Sequence, residues 1–168
     1  MADKPVQLVS GVLTEVEAKT ASAGAADAGK IVALDAGGKI DTTMMPSGIG
    51  SDSKTMTASE AISAGDIVNV HDSSGAKVRK ADAANSSKLA VGFAPSAISN
   101  GASGTVNFEG TITGLSGLTI GATYYLSTTA GGITATAPTG SGNAVQKVGV
   151  AISATELSFE PGTVVVRA

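Results

Sequence analysis

"GDIVNVHDSSGAKVRKA", Gly65 to Ala81, is the stretch whose reading decides the fold. Ile67, Val68 and Val70 make one apolar run, Ser73, Ser74 and Gly75 form a turn cluster, and Val78 sits in a second run. That is the pattern of a strand, a turn and a second strand. The pattern continues toward the C-terminus. In "GTVNFEG", Val106 and Phe108 alternate with Asn107 and Glu109, the two-residue period of a half-buried strand. "TYYLST" turns at Gly131 and Gly132 into "ITATA". Val148, Val150 and Ile152 of "KVGVAIS" are expected on one face, and "ELSFEPG" sets Leu157 with Phe159 before a turn. "TVVVR" is the last strand. About nine or ten short strands at this spacing predict an all-β domain over residues 54–168, a compact antiparallel β-sandwich or barrel.

The stretch also has an echo. "ISAGDIVNVHDSSGAKVRKA" from Ile62 resembles "LTIGATYYLSTTAGGITATA" from Leu118, with Gly65 matching Gly121, Gly75 matching Gly131 and Ala81 matching Ala137. Further on, "AVGFA" with Gly92 answers "KVGVA" with Gly149. Each unit reads as a hairpin followed by a glycine-containing strand. Two units are too few for a solenoid, so the echo implies a duplicated hairpin within one small β-domain.

Residues 1–53 show no sustained period and are expected to form an extended N-terminal arm and linker. A short helix over Val12 to Lys19 is possible, with Glu15 and Lys19 as a favourable pair four residues apart, and Gly24 and Gly29 would stop it. "IVALDAGGKIDTTMMPSGIG", residues 31 to 50, carries enough apolar surface to want burial, yet Gly37, Gly38, Pro46, Gly48 and Gly50 break any helix or long strand. "SGIGSDS" then reads as a hinge.

Composition narrows the function. Charged residues make up 15% of the chain, below the roughly 25% usual in soluble domains, so much of the surface is expected to be covered by other copies or a partner. A net charge of -3 gives no electrostatic case for nucleic acid. No run approaches a membrane span, and the N-terminus lacks a signal peptide's apolar core, so folding in the cytoplasm is expected. The chain has no cysteine and a single histidine, His71, which leaves no zinc site of the usual kind and no expected metal or cofactor. His71 and Asp72 are adjacent on a strand and would point to opposite faces, which is not a triad geometry. Glu109, Glu156 and Glu160 read as polar-face residues of strands. Of Tyr124 and Tyr125, one should face in and one out. No catalytic residue is expected.

Two segments carry a resemblance. "AGKIVALDAGGKIDTTMMPSGIG" resembles a connector in virion proteins of tailed bacteriophages, where a glycine-lysine, an apolar residue, a Leu-Asp pair, a GKID run and a proline precede a small β-domain. "GLTIGATYYLSTTAGGITATAPTGSGNAVQKVGVAISATELSFEPG" resembles a module of the same group, marked by Leu118, Gly121, Tyr125, Leu126, Gly131, Gly132, Pro138, Val148 and Gly149. The module occurs in head decoration proteins and in tail fibres. A short chain with no shaft repeat or coiled coil suits a decoration, or capsid cement, protein. The resemblance implies a homotrimer on the outer capsid surface of the virion, with the major capsid protein as partner. The arm residues Ile31, Leu34, Ile40, Met44, Met45, Pro46 and Ile49 would then bury against another subunit. The alternative is a tail-fibre or receptor-recognition module for bacterial surface glycans.

Overall fold

The computed structural model describes residues 5–45 and 52–168. The chain divides into two compact units, Met1–Gly50 and Ser51–Ala168, and each is described by itself.

The N-terminal unit opens with a hairpin of β1 (Val6–Val9) and β2 (Val12–Glu15), paired antiparallel with Leu8 opposite Leu13 and Val9 opposite Val12. The two-residue loop is Ser10 and Gly11, both at positive φ (51° and 84°). Two positive-φ centres twist the chain in the sense a right-handed hairpin needs. The helix expected from Val12 to Lys19 is therefore replaced over its first half by a strand. A helix of two turns returns few hydrogen bonds for its nucleation cost, whereas here Val12 and Thr14 gain cross-strand partners in Val9 and Gln7. Lys19 pairs with Glu17 at 3.7 Å. The following segment is not extended either. It holds short 3-10 turns at Gly24–Asp27 and Thr42–Met44 and a parallel bridge between Lys19 and Val32. None of its described residues is buried. Pro46 and residues 47–51 of the expected hinge, Ile49 among them, lie outside the described residues, while Ser53 at the hinge's end is already in a strand.

The C-terminal unit is all β. A closed five-stranded barrel is built from β3 (Ser53–Ala58), β4 (Ile67–Asp72), β5 (Ala76–Lys80), β6 (Gly92–Phe93) and β7 (Ser103–Asn107). Antiparallel pairs run β5-β4-β6-β7-β3, and the parallel contact of β3 with β5 closes the ring. Then come β8 (Gly110–Ile112), β9 (Thr123–Leu126), β10 (Ile133–Thr134), β11 (Ala144–Ala151) and β12 (Leu157–Phe159), in the order β10-β9-β11-β12-β8, with β13 (Val164–Val166) added on β11. The second order repeats the first strand for strand.

The register repeats as well. Val68 lies opposite Gly92, and Tyr124 opposite Gly149. The Gly65 amide donates to the Ala94 carbonyl, and the Gly121 amide to that of Ala151, each at 2.8 Å. Both strand glycines permit the same close approach. A Cβ on Gly92 would stand 2.6 Å from the Asn107 carbonyl oxygen, and one on Gly149 would collide with that of Ser158. The echo in the sequence is thus a duplicated five-strand unit, larger than the hairpin it predicts. The second copy stays open because its end strands are short. β8 stops at Ile112, before Gly114 and Gly117 at positive φ (76° and 69°), so no strand reaches across to β10.

Two cores result. The barrel interior holds Met56, Ala58, Ile62, Val68, Val78, Ala94, Ile98 and Val106. The second core joins the barrel's outer residues, among them Ile67, Ala81 and Phe93, to Tyr124, Leu126, Val148, Leu157 and Phe159 of the open sheet. Neighbours Ile67 and Val68 are therefore both fully buried, on opposite faces of one strand. Gln146 ties the halves together. Its carboxamide accepts from the Ala90 amide at 2.8 Å and donates to the Ala90 carbonyl at 2.9 Å. One expectation for β11 fails. Val148 is buried, Val150 half-buried and Ile152 exposed, because the register shifts between Lys147 and Gly149. A bulge of this kind moves the later residues out of phase with the earlier ones.

Candidate interaction surface

The residues singled out in the sequence sit on local turns that polar side chains build. In the Leu-Asp run, the Asp35 carboxylate accepts from the amides of Gly37 (2.8 Å) and Lys39 (2.9 Å), and the Asp35 amide donates to the Lys39 carbonyl. That is the self-bonding turn that Asp makes readily. In the GKID run, Asp41 caps the Thr42–Met44 turn and accepts from Thr43 Oγ1 (2.6 Å) and the Thr43 amide (2.9 Å). These bonds, the hydroxyl's first and the amide's second, hold the Asp41 carboxyl below the usual carboxylate range. Thr43 Oγ1 also accepts from the Ser22 amide at 2.8 Å, and Lys19 and Val32 are bridged by bonds from the Lys19 amide to the Ile31 carbonyl and from the Ala33 amide to the Lys19 carbonyl.

These turns carry apolar side chains that they do not bury. Leu34 is 56% exposed, Ile40 46%, and Ile31 and Met45 each 37%. Met44 is half-buried, beside a depression of about 140 Å³ that Lys19, Ile31 and Val32 also line. Pro46 and Ile49 lie outside the described residues. The sequence reading missed the hairpin, where Val6, Leu8, Val9, Val12 and Leu13 are all exposed. Its signal was present: two short runs rich in Val and Leu flank a Ser-Gly dipeptide.

The groups weighed for chemistry are dispersed. His71 lies on β4 opposite Lys77, and its Nδ1 is buried with no hydrogen-bond partner. Asp72 is exposed and accepts from the Gly75 amide at the hairpin turn. Tyr124 packs in the core, its hydroxyl accepting from the Thr119 amide, while Tyr125 on the opposite face is half-buried. No group of three His, Cys, Asp or Glu side chains that could hold a metal is found among the described residues. The surface with an unmet physical demand is the apolar one.

No protein-family model matches the chain, and no curated protein matches it.

Proposed function

We propose that this chain is a structural protein of a tailed-bacteriophage particle, a head decoration protein that grips the outer shell with its N-terminal unit and works without catalysis. The observation that carries the reading is the distribution of exposed apolar residues. Of fourteen large hydrophobic residues that stand exposed among the described residues, ten lie before Gly50. Patches of this kind mark contact sites more often than accidents. The resemblance of residues 28–50 and 115–162 to phage virion segments supplies the setting.

The turns sharpen the energetics. Burying a side chain such as Ile40 contributes roughly 1.5–3 kcal/mol, against a backbone ordering cost of about 1–2 kcal/mol per residue. The Asp35 and Asp41 turns already fix much of that backbone, so docking meets a smaller ordering cost than an extended arm would. Several copies held together would raise the effective concentration of each arm further.

A quantitative gel of purified virions tests the assignment. A decoration protein is present in copy numbers comparable with the major shell protein. A handful of copies per particle would assign the chain to a tail fibre, the alternative with a glycan-binding role.

A further inference from the structure

We infer that Asn100 is a self-modification site: it deamidates through a cyclic imide formed with Gly101, without an enzyme, when the turn's bonds to Ala58 at the barrel seam open. Imide formation needs a free carboxamide, access to water and a following residue with no side chain to hinder ring closure. The chain has five asparagines, and Asn100 alone precedes a glycine. It lies exposed in the turn before β7, and its carboxamide makes no hydrogen bond among the described residues. The others are held or hindered. Asn69 is buried, bonded to the Leu89 carbonyl and the Arg79 guanidinium, and precedes Val70. The Asn85 carboxamide oxygen accepts from the Ser87 amide and hydroxyl. Asn107 is half-buried before Phe108, and Asn143 half-buried before Ala144.

In the reaction, the Gly101 nitrogen passes its proton to hydroxide and attacks Asn100 Cγ. A C–N bond forms, the carboxamide nitrogen leaves as ammonia with a proton from water, and the imide remains. Water then opens the ring at either carbonyl, giving aspartate or isoaspartate. The fold sets the rate. The Gly101 amide, which is the nucleophile, donates to the Ala58 carbonyl at 2.8 Å, and Ala58 is fully buried. While that bond stands, the nitrogen keeps its proton and cannot attack. The Ala58 amide in turn donates to the Ala102 carbonyl at 2.9 Å. Both bonds lie at the end of a strand, so they open locally without unfolding the barrel.

The product matters because of where the turn sits. Thr57 lies opposite Ser103 on β7 and Lys77 on β5, and Ala58 lies opposite Val78, so this end of β3 is the seam that closes the ring. Isoaspartate carries the main chain through its side-chain carbon and adds a methylene to the backbone beside the Ala58–Ala102 pair. The lengthened turn no longer fits the β3–β7 register and loosens the seam. Aspartate keeps the normal backbone and leaves the seam closed. The site stands apart from shell attachment, which is assigned to residues 31–45.

The test incubates the full-length protein in mildly alkaline buffer, native and in urea, and follows each asparagine by peptide mass spectrometry with an isoaspartate assay. Asn100 should be the first asparagine converted, to a mixture of aspartate and isoaspartate. Opening two backbone bonds should make the native rate about tenfold to a hundredfold lower than the rate in urea. Asn100→Gln should stop the conversion with an unchanged thermal midpoint. The isoaspartyl fraction, once separated, should melt below wild type, and Asn100→Asp should melt with it. Earlier conversion at another asparagine, or a native rate equal to that in urea, would overturn the inference. So would a native rate lower by roughly a thousandfold or more, which would tie the reaction to global unfolding, or an isoaspartyl form that melts like wild type.

Discussion

Phe93 on β6 of the barrel and Phe159 on β12 of the open sheet meet edge to face, with ring centroids 5.4 Å apart and planes inclined at 63°. Both are fully buried, and between them they join the two five-strand copies into one core. Residues 52–168 should therefore unfold in a single transition. Phe93→Ala and Phe159→Ala should each cost about 3–5 kcal/mol, and a double-mutant cycle should return a coupling of about 0.5–1.5 kcal/mol. Two resolved transitions in a calorimetric scan would show that the copies are independent.

The paired glycines predict a sharp contrast. Gly149→Ala forces a Cβ onto the Ser158 carbonyl, and Gly92→Ala does the same to Asn107. Strands cannot move apart without losing their ladder, so each should lose several kcal/mol in denaturant titration. Gly142→Ala is the control. A Cβ there meets nothing within 4 Å, and only its φ of 78° is strained, for a cost of about 1–2 kcal/mol. Similar losses at all three positions would contradict the close-approach account.

Much of this fold was legible in the sequence because it is local. The β4–β5 turn announces itself in Ser73, Ser74 and Gly75, and Leu157 and Phe159 do lie together inside. The echo at Gly65 and Gly121 marked a real duplication. What stayed hidden is non-local. Nothing in "KVGVAIS" signals the bulge that turns Ile152 outward, and nothing near Ser53 signals that β3 closes a ring on β5. The arm was misread for another reason. Gly38 reads as a breaker of helix and strand, whereas its positive φ closes the Asp35 turn, as that of Gly11 closes the hairpin. Of the candidate contact residues, Ile31, Leu34, Ile40 and Met45 stand exposed, on a segment whose turns Asp35 and Asp41 hold.

Asp41 gives a pH prediction. The bonds from Thr43, the hydroxyl's first and the amide's second, favour its charged form, so its folded pKa lies below its unfolded one. The cap is therefore fully effective above the unfolded value and is lost as pH falls through the folded value. A carboxyl NMR titration should find Asp41 below the usual carboxylate range, and Thr43→Val should raise it. An Asp41 midpoint indifferent to Thr43→Val would show that the cap does not form in solution.

Gln146 offers a separate check on how the halves are joined. Gln146→Leu keeps much of the volume but leaves the Ala90 amide and carbonyl without their partner. Each buried group left unpaired costs about 1–3 kcal/mol, so the variant should lose roughly 2–4 kcal/mol in urea. Loss of protection at the Ala90 amide in hydrogen exchange should accompany it. Wild-type stability in Gln146→Leu would mean that the amide pair contributes nothing.

The central claim is that the turn-built apolar segment holds the protein on its particle, and Ile40→Ser/Met44→Ser tests it most directly. The measurement is the amount of variant bound to virions lacking the wild-type chain, beside its far-UV spectrum in free solution. Ile40 is about half exposed and Met44 half-buried on the free surface, so their loss should weaken attachment by about tenfold or more while the strand spectrum stays unchanged. Full occupancy by a folded variant would contradict the claim, and would place attachment on the β-domain instead.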